Sequence, residues 1–300
     1  MGSYSSRTGL SGMIDLPQEI AKHLMDSRRD TGMLHCSKHL TDPIRHTQLY
    51  YAKTEDESTF DLQSGIRLMT GTLWHEEVEK MLKGRLVMTE VDLTDYLPGP
   101  WTGRADFLEW ADIDWTKPET EWVVHDLKTI KPEGISYLRG KPKEEHRWQV
   151  SAYAYGAYNT GLPVSDIGVV HYLPLGIGAD PISIAFDIIP HGDIAARMGY
   201  VYGKAKQFTE GDCELESWPE PEPRLFKNSA TGFLDVKMMP HWTSMYCPYP
   251  ISCGCGKQRP FKVGHFLKKD LKYVPRKGFE DYEDHILNTI HADEVERRFR

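Results

Sequence analysis

WVVHDLKTI, residues 122–130, is the stretch on which the reading of this chain turns. Its aromatic and β-branched residues suit a buried strand. Yet Asp126 and Lys128 stand one residue apart in it. Side chains at i and i+2 of a strand face the same side, so the two address one point. A carboxylate and an ammonium side by side on a buried strand are costly unless they are paired or used. As an isolated tripeptide, D-x-K reads as a surface ion pair at a strand end.

The neighbouring segments decide between those readings. Strand-like stretches cover 85–92 (RLVMTEVD), 102–110 (TGRADFLEW) and 121–129, with LPGP at 97–100 as a turn. Asp106 lies on the strand before Asp126, and Glu90 on the strand before that. Before them, 72–83 (TLWHEEVEKMLK) reads as an amphipathic helix. Its apolar stripe is Trp74, Val78, Met81 and Leu82, with Thr72 as the starting cap and Gly84 closing it. His75 falls beside that stripe. HEEVE is not H-E-x-x-H, so a zinc-protease reading fails for want of a second histidine. After the D-x-K strand, 144–158 reads as a helix that puts Gln149 and Tyr153 on one face, at i and i+4. An amide and a phenol there can hold a phosphate or base edge, or simply pack. Strands at 166–173 and 182–189 and a helix at 191–209 follow, while 14–50 reads as mostly helical with interruptions.

Two carboxylates converging from adjacent strands repel unless a cation sits between them. Oxygen ligands with an open position suit Mg²⁺ or Mn²⁺. An imidazole on a nearby helix can add a ligand, and a lysine can assist the attacking water or stabilise charge on a phosphorane.

The 300 residues suffice for one large domain or two modest ones, and 40% hydrophobic with 27% charged is an ordinary globular composition. The formal net charge of −8 argues against holding nucleic acid by bulk charge alone. No apolar run is long enough to span a membrane, and MGSYSSRTGL has no signal-peptide core, so a cytoplasmic protein without a membrane partner is expected. In a reducing compartment, clustered cysteines bind metal or clusters more often than they form disulfides. Cys36 stands upstream, and Cys247, Cys253 and Cys255 lie together in CPYPISCGC. Such a set can make a four-thiolate site for an iron–sulfur cluster or zinc, and spacing does not choose between them. Cys213 reads as a structural thiol, with exchange for Cys36 left open.

The order Gly71-x-x-x-His75, Gly103-x-x-Asp106, Asp126-x-Lys128-Thr129 and Gln149-x-x-x-Tyr153 resembles the RecB-like branch of the PD-(D/E)XK nucleases, over roughly residues 71–153. The resemblance implies an α/β fold: a restriction-endonuclease-like core with a mixed central sheet flanked by helices, and a cysteine-stapled helical region from the two chain ends. It implies metal binding by His75, Asp106, Asp126 and the Leu127 carbonyl, catalysis by Lys128 with Asp126, Asp106 and Glu90, and DNA contact or site organisation by Gln149 and Tyr153. Some members of that branch, AddB-type and CRISPR-associated RecB-like exonucleases, carry a [4Fe–4S] cluster on one cysteine before the core and three after it. This implies Cys36, Cys247, Cys253 and Cys255 as ligands here, although C-x₅-C-x-C departs from the usual C-x₂-C-x₅-C.

The expectation is therefore a Mg²⁺- or Mn²⁺-dependent DNA exonuclease of recombination, repair or phage DNA processing. Its parts would be 1–65 (helical, carrying Cys36), 66–210 (nuclease core) and 211–300 (cysteines and basic residues). The alternative is a non-catalytic DNA-binding or scaffold protein on the same fold. No G-x-x-x-x-G-K-[ST] loop occurs, so unwinding would fall to a helicase or recombination partner. Residues 256–280 carry eight Lys/Arg against two Asp/Glu, and KQRPFKVGHFLKKDLKYVPRK (257–277) is expected to track a nucleic-acid backbone, with Phe261, Phe266 and Tyr273 interleaved. Arg139, Lys141 and Lys143 are a second basic candidate.

Overall fold

The structure is a computed structural model that describes residues 32–54, 62–111, 121–217, 221–240, 249, 252–253 and 260–299, with backbone alone over 62–68. Cys247 and Cys255 lie outside the described residues, as do 14–31 of the expected N-terminal helical stretch. Along the chain the elements are β1 (Leu34–His35), α1 (Ile44–Tyr51), α2 (Leu62–Leu82), β2 (Val87–Asp92), β3 (Trp101–Thr102), β4 (Arg104–Ala111) and β5 (Glu121–Ile130). There follow α3 (Pro132–Leu138), α4 (Glu144–Asn159), β6 (Val164–Pro174), β7 (Ile182–Asp187) and α5 (His191–Glu210). The remainder is β8 (Glu222–Lys227), β9 (Leu234–Met239), β10 (Phe261–Phe266), β11 (Tyr273–Pro275), α6 (Glu283–Thr289) and α7 (Ala292–Phe299).

Two compact units divide these elements: Met1–Leu40 with Thr59–Gly199, and Thr41–Ser58 with Tyr200–Arg300. The first is mixed α/β. Its five-stranded sheet has the order β2-β4-β5-β6-β7, so the WVVHDLKTI strand β5 is central. β5 runs antiparallel to β4 and parallel to β6. A parallel neighbour needs a crossover, and α3 and α4 supply it. Val123, Val124 and Leu127 are buried, as a strand covered on both faces requires. α4 comes very close to β6: a Cβ on Gly168 would stand 2.6 Å from Val150 Cγ1, so only glycine fits there. Gly84, at φ +87, turns the chain out of α2.

α2 departs from the sequence expectation. It begins at Leu62, so Thr72 is an interior residue and not its cap. Trp74 (42%) and Met81 (74%) are exposed, whereas His75, Val78 and Leu82 are half-buried. The inward face is thus set by the sheet's need for His75, Val78 and Leu82 beside Phe107 and Leu127, which together line a small recess, and not by the largest apolar side chains.

The second unit holds a four-stranded antiparallel sheet of order β11-β10-β9-β8. Leu225, Val236, Met238, Val263, Phe266 and Tyr273 pack on one face with Ile286 from α6, Ile290 just after it and Val295 from α7. Phe266 and Tyr273, expected as exposed rings on a basic track, are 3% exposed and belong to this core. Phe261 packs against it. In a strand every second residue points inward, and those rings fall on the inward register. Elsewhere in this unit Leu49, Tyr249 and Cys253 cluster, and the Arg45 guanidinium donates to the Cys253 carbonyl at 2.8 and 3.1 Å.

Candidate functional site

The site grows from the end of the β4–β5 ladder. Backbone pairing of β4 with β5 runs from Ala111↔Glu121 to Phe107↔His125 and stops there. Leu127 N–H instead donates to Asp106 Oδ2 at 2.5 Å, so a side chain takes the place of the next backbone acceptor. This fixes the Asp106 carboxylate at the strand end, with its other oxygen 3.1 Å from His75 Nδ1 on α2. That hydrogen bond raises the His75 pKa above the ordinary imidazole value against the opposing effect of burial.

Glu90 joins them from β2. Thr89↔Phe107 and Val91↔Ala105 flank it in register, which brings it level with Asp106, yet Glu90 itself adopts φ +50. A left-handed residue inside a strand is strained by about 1–2 kcal/mol, and it is here that the carboxylate turns toward its neighbours. His75, Glu90 and Asp106 each offer a ligand atom, and these atoms lie within 4.8 Å of one another. Glu90 also pairs with Arg104 at 3.1 Å, both partly exposed. One imidazole and two carboxylates with room for solvent are a donor set suited to Mg²⁺ or Mn²⁺.

Asp126 is held differently. It is fully buried. Its oxygens lie 2.7 and 2.9 Å from Lys128 Nζ, and Gln149 Nε2 donates to Oδ1 at 3.0 Å. The same Gln149 amide donates to the Tyr153 hydroxyl at 2.8 Å. Gln149 and Tyr153 are both 4% exposed, so they brace Asp126 from α4 and offer little surface to a base. Burial pushes the Asp126 carboxyl up to about 6, with Asp106 adding to the rise and Lys128 and His75 opposing it. Burial likewise puts the Tyr153 hydroxyl well above its ordinary value.

His75, Glu90, Asp106, Leu127, Lys128, Gln149 and Tyr153 all line one open cleft of about 670 Å³. The sequence-predicted residues thus fall into two linked groups: His75, Glu90 and Asp106 at the surface, and Asp126, Lys128, Gln149 and Tyr153 beneath. No protein-family model matches the chain, and no curated protein does. Among solved structures, an alkaline exonuclease (LHK-Exo) from Laribacter hongkongensis is similar at 11% identity and TM-score 0.42, over 65% of this chain and 95% of that one. The same exonuclease in complex with dAMP is similar at 10% identity and TM-score 0.38, over 65% and 97%. Both likenesses are too remote to argue for a function.

Sequence reasoning missed several residues of the cleft wall. Arg104 sits inside the quoted GRADFLEW, where its basic charge beside Asp106 was a usable signal. His35, Ser37 and Thr102 also line the cleft. They arrive through the parallel pair β1–β3, with His35 opposite Thr102, a contact between distant segments that no local pattern announces. Cys36 between them is 2% exposed, and burial pushes its thiol well up. None of the described cysteines, Cys36, Cys213 and Cys253, is in a disulfide. Among the described residues no helix is long and apolar enough to cross a membrane.

Proposed function

We propose that this chain is a divalent-metal-dependent nuclease of the RecB-like PD-(D/E)XK type that hydrolyses DNA phosphodiester bonds, acting as an exonuclease. The observation that supports the reading is the meeting of His75, Glu90, Asp106 and Lys128 at one cleft, with the first three in metal-ligand proximity and Lys128 2.7 Å from the buried Asp126 behind them. His75 and Asp106, with Glu90, Asp126 and the Leu127 carbonyl as the further donors, would hold Mg²⁺ or Mn²⁺. When bound, the ion supplies charge that polarises a phosphodiester and acidifies water.

The protein's own groups do the rest. The Leu127 amide keeps the Asp106 carboxylate pointed into the cleft. Gln149 and Lys128 hold the Asp126 carboxylate in one orientation despite its burial. The Lys128 side chain, 23% exposed, lines the cleft, and its ammonium can stabilise charge growing on the phosphorus oxygens or orient the attacking water. The cysteines of the chain would hold an iron–sulfur cluster, with zinc as the alternative. Visible absorbance and iron and zinc analysis of anaerobically purified protein decide that part separately.

End-labelled linear, nicked and circular DNA incubated with Mn²⁺ tests the main reading. Wild type should degrade linear DNA from its ends, EDTA should stop it, and Lys128→Ala should lower the rate about 100-fold or more. Binding without cleavage by wild type would instead fit a non-catalytic DNA-binding protein and end the hydrolytic reading.

A further inference from the structure

The four-stranded sheet of the second unit has a face that its core does not use. Buried Leu225 alternates with exposed Arg224 and Phe226 along β8, and buried Val236 and Met238 alternate with half-buried Lys237 along β9. Lys262 and His265 point the same way from β10, where a register shift between Lys262 and Gly264 keeps both off the core. Cross-strand registers align these residues in two rows. Arg224 pairs with Lys237, and Lys237 with Lys262, so three cations stand side by side across three strands. In the next row Phe226 pairs with Asp235, and Asp235 with His265.

Like charges directly opposite one another destabilise a sheet, so this row works against the unit's own stability. Only part of it is neutralised. Lys262 reaches Asp235 at 2.7 Å, and Arg224 meets Glu222 at 3.4 Å in solvent. Lys237 Nζ lies over the Phe226 ring, 4.9 Å from its centroid, and that ring is 36% exposed. A second flat pair borders the patch, His265 stacked on Phe233 at 4.7 Å and 10°.

The wider charge pattern agrees. Residues 221–240 and 260–279, which form and connect the strands, carry nine Lys/Arg against three Asp/Glu, in a chain whose net charge is −8. Residues 280–299, which include α6 and α7 on the opposite face, carry seven Asp/Glu against two Lys/Arg. The strand-bearing segments of this unit are therefore basic and its helical segment acidic.

We propose that this face, centred on Arg224, Phe226, Lys237 and Lys262, binds single-stranded nucleic acid, with the cation row on the phosphates and a base stacked on Phe226. Neighbouring strands lie about 4.7–4.9 Å apart, so the three charges span about 10 Å, enough to follow a backbone across the sheet. An exposed ring beside cations selects an unpaired strand, because only there is a base face open to stack. The assignment rests on this face's own charges and rings and is independent of the hydrolytic reading.

Fluorescence anisotropy with a labelled 20-nucleotide oligo(dT) and the matching blunt duplex tests it, using the full chain in EDTA so that cleavage cannot intrude. Wild type should prefer the single strand. Arg224→Ala/Lys237→Ala should weaken binding at least 10-fold and make the slope of log K against log salt shallower by about 1.4, since each lost phosphate contact removes about 0.7. Its melting temperature should not fall, because a like-charge repulsion is removed. Phe226→Ala should weaken binding about 5-fold or more with the slope unchanged. No binding by wild type, an unchanged slope in the double variant, or equal affinity for the duplex would each overturn the proposal, whatever the cleavage assays report.

Discussion

Replacing Gln149 with leucine probes the buried half of the cleft most directly. The Gln149 amide is the neutral donor to Asp126, at 3.0 Å, and it also supports the Tyr153 hydroxyl at 2.8 Å. Leucine is of similar size but donates nothing. Asp126, fully buried, would keep Lys128 alone, and the Tyr153 hydroxyl would lose a partner. A hydrogen bond to a charged group contributes about 1.5–3 kcal/mol, and a buried hydroxyl left unsatisfied costs about 1 kcal/mol or more. The two overlap, so Gln149→Leu should destabilise the first unit by about 2–4 kcal/mol. At about 2–4 °C per kcal/mol for a unit of this size, its melting temperature should drop by about 4–16 °C. Tyr153→Phe deletes only the hydroxyl and leaves the amide on Asp126, so it should cost about 1 kcal/mol. Urea unfolding followed by tryptophan fluorescence reads both variants. Because Gln149 braces the acid and does not reach out to substrate, cleavage by Gln149→Leu should lose kcat with little change in KM. A stability within about 0.5 kcal/mol of wild type, or a Tyr153→Phe as damaging as Gln149→Leu, would refute this account of how Asp126 is held.

Three further outcomes follow from the geometry. His39 and His125 are buried, and burial lowers their pKa values to about 2 and about 3. Both titrate lower folded than unfolded, so the unfolded chain takes up the extra protons as pH falls below about 6.5; each should remove about 2 kcal/mol between pH 7 and pH 5, and an unchanged urea midpoint at pH 5 would contradict it. Glu90→Gln removes one of the clustered carboxylates and should weaken Mn²⁺ binding about 10-fold or more by calorimetry; wild-type affinity would take Glu90 out of the ligand set. Gly264→Ala would drive a Cβ into the Tyr273 ring and hydroxyl, a contact the core cannot absorb, and should destabilise the second unit by about 1–3 kcal/mol; a neutral effect in thermal unfolding would show that Tyr273 moves aside.

Local pattern made the centre of the first unit legible. β5 as a buried strand, β4 beside it, and the helix carrying Gln149 and Tyr153 appear in the structure within a few residues of their expected bounds. Each is announced by a period of 2 or of about 3.6, which depends only on the chain's own geometry. Where large apolar residues lay outside the true inward face, the same rule misled. On α2, Trp74 and Met81 suggested one buried face and the sheet chose another, around His75, Val78 and Leu82. On β10 and β11, charge density hid the register, so Phe266 and Tyr273 looked like exposed rings until the core claimed them.

Residue types and their order, taken alone, determined that acids, an imidazole, a lysine and an amide recur at spacings that let strands and helices present them. What folding alone decided is how they meet. It put Asp126 under Lys128 and Gln149, turned Glu90 through a left-handed backbone to join Asp106, brought His35 and Ser37 to the cleft from far along the chain, and lined up Arg224, Lys237 and Lys262 from three strands. The reason is physical: periodicity is a property of neighbouring residues, whereas register between strands is set by burying one face of each against the same core, and that is a choice made by all the segments together.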